Sequence, residues 1–130
     1  RIKTFISRNK RNFFFFKSLG LKNYYSFLKN VDVVIGNSSS GIIEAPSFKI
    51  PTINIGDRQK GRIFAKSIIN CKPEEKEIYK AIKKIKSISF KKKLKKVTNP
   101  YYNINTVNKI MNVIINKKIP NNLKKKFHDL

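Results

Sequence analysis

One stretch limits the fold of this chain more than any other. Val31-Asp32-Val33-Val34-Ile35 is a β-branched, largely apolar run that closes on the small polar loop Gly36-Asn37-Ser38-Ser39-Ser40-Gly41. A run of this kind reads as a strand buried in a parallel sheet. The loop then opens a helix predicted over residues 40–48, where Pro46 fits only in the first turns or at a kink. A second unit follows at once. Thr52–Ile55 reads as a strand and runs into Gly56-Asp57-Arg58-Gln59-Lys60-Gly61-Arg62, a loop with three cations. Strands alternating with helices imply parallel βαβ units and the α/β class.

The remaining elements follow from periodicity. Residues 1–12 are basic and polar, the end of a helix or a connection. Phe13–Phe16 is continuous and aromatic and is predicted as a further buried strand, and so as core. Tyr24, Tyr25, Phe27 and Leu28 recur at helical spacing, which predicts a helix over 22–30. Glu74 to Ile88 is amphipathic, with Ile78, Ala81, Ile82 and Ile85 on one face. Lys91 to Lys96 is a charge run, residues 105–115 read as a last helix, and the segment beyond Pro120 reads as loose. At 130 residues this is at most one domain, divided here into residues 1–118 and a basic tail, 119–130. Three strands make a marginal sheet when the edges are unpaired. The first residue is Arg, so the expectation is a piece of a longer product.

The net charge of +23 taken alone points to nucleic acid or an anionic membrane. A compositional cause competes with that reading. Lys, Asn, Ile and Phe make up roughly 70 of the residues, and all four are encoded by codons rich in A and T. The cations also form no zinc-finger or RNA-binding-sheet motif. Nucleic acid is therefore the weaker expectation. Cys71 is the single cysteine and His128 the single histidine, which excludes an internal disulfide and leaves too few ligands for a metal site. A lone thiol suits a reducing, cytoplasmic setting. No apolar run approaches the length of a membrane span.

The two loops carry the chemistry. In open α/β sheets ligands bind beyond the carboxyl ends of the strands. Ser38, Ser39 and Ser40 stand at such an end, where hydroxyls, amides and a helix N-terminus suit phosphate oxygens. Glu44 is not explained by a capping box, because the position three residues earlier is Gly41. A carboxylate there suits the two hydroxyls of a ribose, or else it is a solvated acid favoured by the helix dipole. In the second loop Arg58 and Arg62 stand out. The chain has five Arg against 25 Lys, so Arg kept here suggests a geometric need such as two-pronged phosphate binding. The alternative is an ion pair with Asp57. Tyr24 and Tyr25 either stack on a base or pack the core.

Taken together, Asn37-Ser38-Ser39-Ser40-Gly41-Ile42-Ile43-Glu44-Ala45-Pro46-Ser47-Phe48 and Ile50-Pro51-Thr52-Ile53-Asn54-Ile55-Gly56-Asp57-Arg58-Gln59-Lys60-Gly61-Arg62 resemble the UDP-N-acetylglucosamine 2-epimerase family. The likeness is strongest to its hydrolysing, sialic-acid and nonulosonate branch. It extends through Phe16-Lys17-Ser18-Leu19-Gly20 and Asn99-Pro100-Tyr101, over about residues 13 to 117. The resemblance implies a Rossmann-like parallel sheet forming part of the C-terminal domain of a GT-B-type two-domain fold. It implies diphosphate binding by Ser38 and Ser39, ribose binding by Glu44, and a nucleotide or cleft-closing contact by Arg58. It also implies uracil contacts from the backbone of Leu19 and the ring of Tyr24, and a C-terminal helix that crosses back toward the first domain.

Where the family continues Asn-Pro-Tyr with two glycines, this chain has Tyr102 and Ile104. The family's catalytic carboxylates and active-site histidine belong to segments absent from this sequence, and His128 matches no motif. No catalytic residue is assigned here, and this piece alone is expected to be inactive. No cofactor is implied. The implied partners are a UDP-sugar, the family's first domain and further copies of the same chain, with no membrane. The implied activity is release of UDP and N-acetylmannosamine from UDP-N-acetylglucosamine. The alternatives are the same chemistry on UDP-N,N'-diacetylbacillosamine, the non-hydrolysing epimerase, and a non-catalytic basic fragment that binds nucleic acid.

Overall fold

Strand β2 (Thr52–Ile55) is the centre of the architecture. The computed structural model describes residues 1–116. In it β2 lies between β1 (Val34–Gly36) and β3 (Ile68–Cys71), and both pairings are parallel. The registers set Ile35 opposite Ile53 and Ile53 opposite Ile69. Thr52, Ile53 and Asn54 are all buried, so β2 is covered on both faces. This is an α/β, Rossmann-like parallel sheet, as the alternation of elements requires.

The side chains of β2 alternate between two layers. Ile53 meets Ala81 and Ile85 of α4 (Glu75–Lys86) and Phe90 of α5 (Ile88–Lys95), which together form the core. The predicted inward stripe of α4 is the observed one, with Ala81 and Ile85 buried and Ile78 and Ile82 half-buried. Helix α4 also has Glu75 and Glu77 in its first turn and Lys83, Lys84 and Lys86 in its last, matching its dipole. The helix stops at Ser87, whose hydroxyl accepts from the Phe90 amide at 3.3 Å and so caps α5. The Lys91–Lys96 run is thus largely helical. Phe90 and Leu94, one turn apart, turn toward the core while the lysines stay in solvent.

On the other face Thr52 meets α3 (Ser40–Ile43). The predicted helix over 40–48 is in fact one α-turn followed by a 3₁₀ turn, Ala45–Phe48, with Pro46 near the start of the latter. Gly41 explains how close α3 comes. A Cβ at that position would lie 2.7 Å from Thr52 Cγ2, and Thr52 Oγ1 donates to the Gly41 carbonyl at 2.9 Å.

Two expectations are corrected. Phe13–Phe16 is neither strand nor core; its residues are between 44% and 73% exposed. A strand needs a neighbour's backbone groups, and here the sheet begins at β1, while the chain leaves Phe16 for α2 (Gly20–Leu28). The third strand is instead β3, where Asn70 and Cys71 hide the β signal. Helix α1 (Ile2–Arg8) buries no residue. The final helix, α6 (Thr106–Asn116), appears where it was predicted but also buries none. The predicted tail and His128 lie outside the described residues.

In an ordinary helix interior Gly→Ala stabilises by about 1 kcal/mol. At Gly41 the clash with Thr52 should reverse that sign. We expect Gly41→Ala to cost about 1–3 kcal/mol, read as a lower denaturation midpoint, and a raised midpoint would contradict this packing.

Candidate functional site

Parallel pairing brings the two polar loops to one end of the sheet. Strands β1 and β2 are adjacent and run the same way, so the segments after Gly36 and after Ile55 both leave carboxyl ends. Gly56, at φ 78°, turns the second loop away from β2. Gln59 then ties the loops together. It is buried, and its Nε2 donates to the Asn37 carbonyl at 2.8 Å, one residue before the serines. Nothing in the residue order marks Gln59. A glutamine between an arginine and a lysine looks like surface, and only the packed loop shows otherwise. Gln59 Oε1 and Asn54 Oδ1 are buried acceptors that find no donor among the described residues.

Ser38 and Ser39 are exposed at this end. Ser38 Oγ accepts from the Ser40 amide at 3.3 Å, which shapes the turn and leaves its own proton free to be donated. Helix α3 is a single turn, so the dipole expected behind the serines is short. What remains is the hydroxyls and amides. Arg58, beside Gln59, is exposed. Its expected alternative, pairing of Arg58 or Arg62 with Asp57, is not formed: among the described residues the ion pair is Lys80–Glu77, at 2.7 Å. Leu19 is half-buried immediately before α2.

Glu44 lies one turn after Ser40, half-buried, and is not a solvated surface acid. Ser40 Oγ donates to its Oε2, and Tyr25 Oη donates to its Oε1 at 3.4 Å. Tyr24 Oη shares a hydrogen bond with Ser40 Oγ. The two tyrosines therefore do more than fill a core: α2 brings both hydroxyls onto the Ser40–Glu44 pair. The Tyr25 ring is held between Tyr24 and Phe48, with centroids 6.1 and 5.8 Å away. Glu44 and Tyr25 also line a cavity of about 260 Å³ with Phe48, Asn99 and Tyr101.

Asn99 and Tyr101 lock this cluster from a distant part of the chain. Asn99 Nδ2 donates to the Ile43 carbonyl at 2.8 Å and to Ser47 Oγ at 2.6 Å. Tyr101 Oη accepts from the Ile63 amide at 3.1 Å, just past Arg62. The Asn-Pro-Tyr segment thus bridges the Glu44 turn and the end of the second loop, and the departures at Tyr102 and Ile104 follow it.

Comparison with known proteins fits this arrangement. Residues 1–115 match the sequence model of the UDP-N-acetylglucosamine 2-epimerase family. The chain belongs to that family. It is 42% identical over 90 residues to the GDP/UDP-N,N'-diacetylbacillosamine 2-epimerase (hydrolyzing) of Campylobacter jejuni, covering 69% of this chain and 23% of that protein. It is 36% identical over 114 residues to the polysialic acid biosynthesis protein P7 of Escherichia coli, covering 88% of this chain and 29% of that protein. It is 40% identical over 76 residues to the UDP-N-acetylglucosamine 2-epimerase of Neisseria meningitidis, covering 58% of this chain and 20% of that protein. The chain thus spans between 20% and 29% of the length of these epimerase-family relatives.

Elsewhere at the strand ends, Cys71 borders a cavity of about 510 Å³ with Gly56, Asp57 and Lys72. Burial, and secondarily Glu77, push its thiol above the ordinary value, so it stays protonated at neutral pH. Tyr25 is also pushed up, first by the Glu44 charge, then by loss of solvent and by the hydrogen bond to Glu44. A raised folded-state value means the protonated phenol stabilises the fold. That contribution is complete below the unfolded-state value and is lost as pH rises through the folded one. We expect Glu44→Gln to move Tyr25 ionisation to lower pH. Tyrosine-Cζ NMR titration, assigned with Tyr25→Phe, reads this, and an unmoved curve would show that the pair does not form.

Proposed function

We propose that this chain is the UDP-binding part of a hydrolysing UDP-N-acetylglucosamine 2-epimerase, working in the cytoplasm and supplying N-acetylmannosamine to sialic-acid-type sugars. The observation that carries the reading is the Gln59–Asn37 bond, which holds a hydroxyl-rich loop and an arginine-bearing loop together at adjacent strand ends. In this reading Ser38 and Ser39 hold the diphosphate, Arg58 neutralises it, and Glu44 takes the ribose hydroxyls. The backbone of Leu19 and the ring of Tyr24, whose hydroxyl is occupied by Ser40, meet the uracil. The sheet would belong to the second domain of a GT-B-type pair, with the nucleotide in the cleft and residues 1–118 as the domain portion.

The chemistry is an elimination. A base elsewhere in the complete protein removes the proton at C2, the C1–oxygen bond breaks, and UDP leaves with the electron pair. Water then adds to the glycal to give N-acetylmannosamine. Charge grows on the diphosphate as it departs, so donors aimed there bind the transition state more tightly than the substrate. A second substrate, UDP-N,N'-diacetylbacillosamine, is supported by the names of the Campylobacter jejuni relative and of a Legionella pneumophila relative 44% identical over 54 residues.

NMR of UDP-N-acetylglucosamine incubated with the complete protein should show free UDP and N-acetylmannosamine. Turnover of the bacillosamine sugar alone would select the second substrate, and turnover of neither by folded protein would defeat the reading. Arg58→Ala should weaken UDP binding and lower kcat/KM by about tenfold or more, the loss of a charge-assisted hydrogen bond. Unchanged UDP binding and kcat/KM would remove Arg58 from the site.

A further inference from the structure

We infer that Ser40 and Tyr25 are positioning residues that aim the Glu44 carboxylate at a vicinal diol, so that the site discriminates ribose from its deoxy forms through them. The inference rests on the nucleotide reading above and extends it to residues that do not themselves touch the ligand.

Counting protons fixes the direction of each bond in this cluster. An ionised carboxylate only accepts hydrogen bonds. Ser40 has one hydroxyl proton, and Glu44 Oε2 takes it. Ser40 can then only accept from Tyr24, so the proton in that bond belongs to the tyrosine. The direction is forced: Tyr24 donates to Ser40, and Ser40 donates to Glu44. On the other oxygen, Oε1, the donor is Tyr25. Each carboxylate oxygen therefore has one protein donor and keeps lone-pair capacity on its free side. A carboxylate held at both oxygens cannot rotate freely, and its remaining lone pairs form a fixed two-point acceptor. Two neighbouring hydroxyls are the complementary donor pair.

The supports of the clamp are independent of any ligand. Tyr25 is fixed by Phe48 and Tyr24, and the turn bearing Glu44 is pinned through the Ile43 carbonyl by Asn99. Glu44 also borders the cavity of about 260 Å³ beside Tyr25, which gives a ligand hydroxyl room to approach.

The test is equilibrium binding of UDP and of 2',3'-dideoxy-UDP to the full-length protein and to its Tyr25→Phe and Ser40→Ala variants. Tyr25→Phe keeps the ring and removes only the donor. Wild type should prefer UDP. Each variant should lose about three- to tenfold in UDP affinity, the scale of one hydrogen bond, and leave dideoxy-UDP binding within about twofold. Equal losses for both nucleotides would make the residues merely structural and overturn the inference. Unchanged UDP affinity in both variants would overturn it as well. Wild-type protein that binds the two nucleotides equally would instead remove Glu44 from the ribose and take down the reading beneath.

Discussion

The contact between Gly41 and Thr52 is the constraint on which the rest depends. A hydrogen at Gly41 in place of a methyl group lets α3 settle onto β2, and the Thr52 hydroxyl closes the approach by donating to the Gly41 carbonyl at 2.9 Å. That seat fixes where the serine loop begins and where Glu44 emerges one turn later. Pro46 keeps the helix short, since it lacks the amide that would continue the α-turn and the next residues run as a 3₁₀ turn. The site is thus built on β2, a strand buried on both faces and so a well-packed support.

Around that seat the site is assembled by polar cross-links more than by apolar packing. Gln59 reaches the first loop, Tyr101 the end of the second, and Asn99 the turn between Ile43 and Ser47. Tyr24 and Tyr25 come from α2 onto Ser40 and Glu44. Four segments distant in sequence therefore share one hydrogen-bonded frame. Such a frame specifies geometry well, since each buried or half-buried polar group is costly unless its partner is in place.

A second property is the extent of uncovered apolar surface. Phe5 and the Phe13–Phe16 run are exposed, as are Val107, Ile110, Val113 and Ile114 of α6. Exposed apolar residues concentrated in this way mark contact surfaces when they form a patch. The chain spans under a third of its epimerase-family relatives, and these faces have no cover among the described residues. The lysines follow a different rule. Those of α4 and α5 form the solvated sides of helices whose other sides are core.

Much of the fold was legible in the residue order. The β-branched run before Gly36, the second run at Thr52–Ile55 and the stripe Ile78, Ala81, Ile82, Ile85 announced two strands and a covering helix, because burial leaves a period in the chain. The two motif loops placed the chain in its family, because their spacing reflects a fixed strand-loop-helix geometry. Phe13–Phe16 misled, since hydrophobicity says that a segment seeks cover and not which neighbour supplies it. Strand β3 was hidden because Asn70 and Cys71 acquire strand conformation from the ladder with β2 and not from local preference. The roles of Gln59, Asn99 and the tyrosine hydroxyls were decided only by tertiary structure. Each acts on a residue between 16 and 56 positions away, and a partner at that distance exists only once the sheet has brought the segments together.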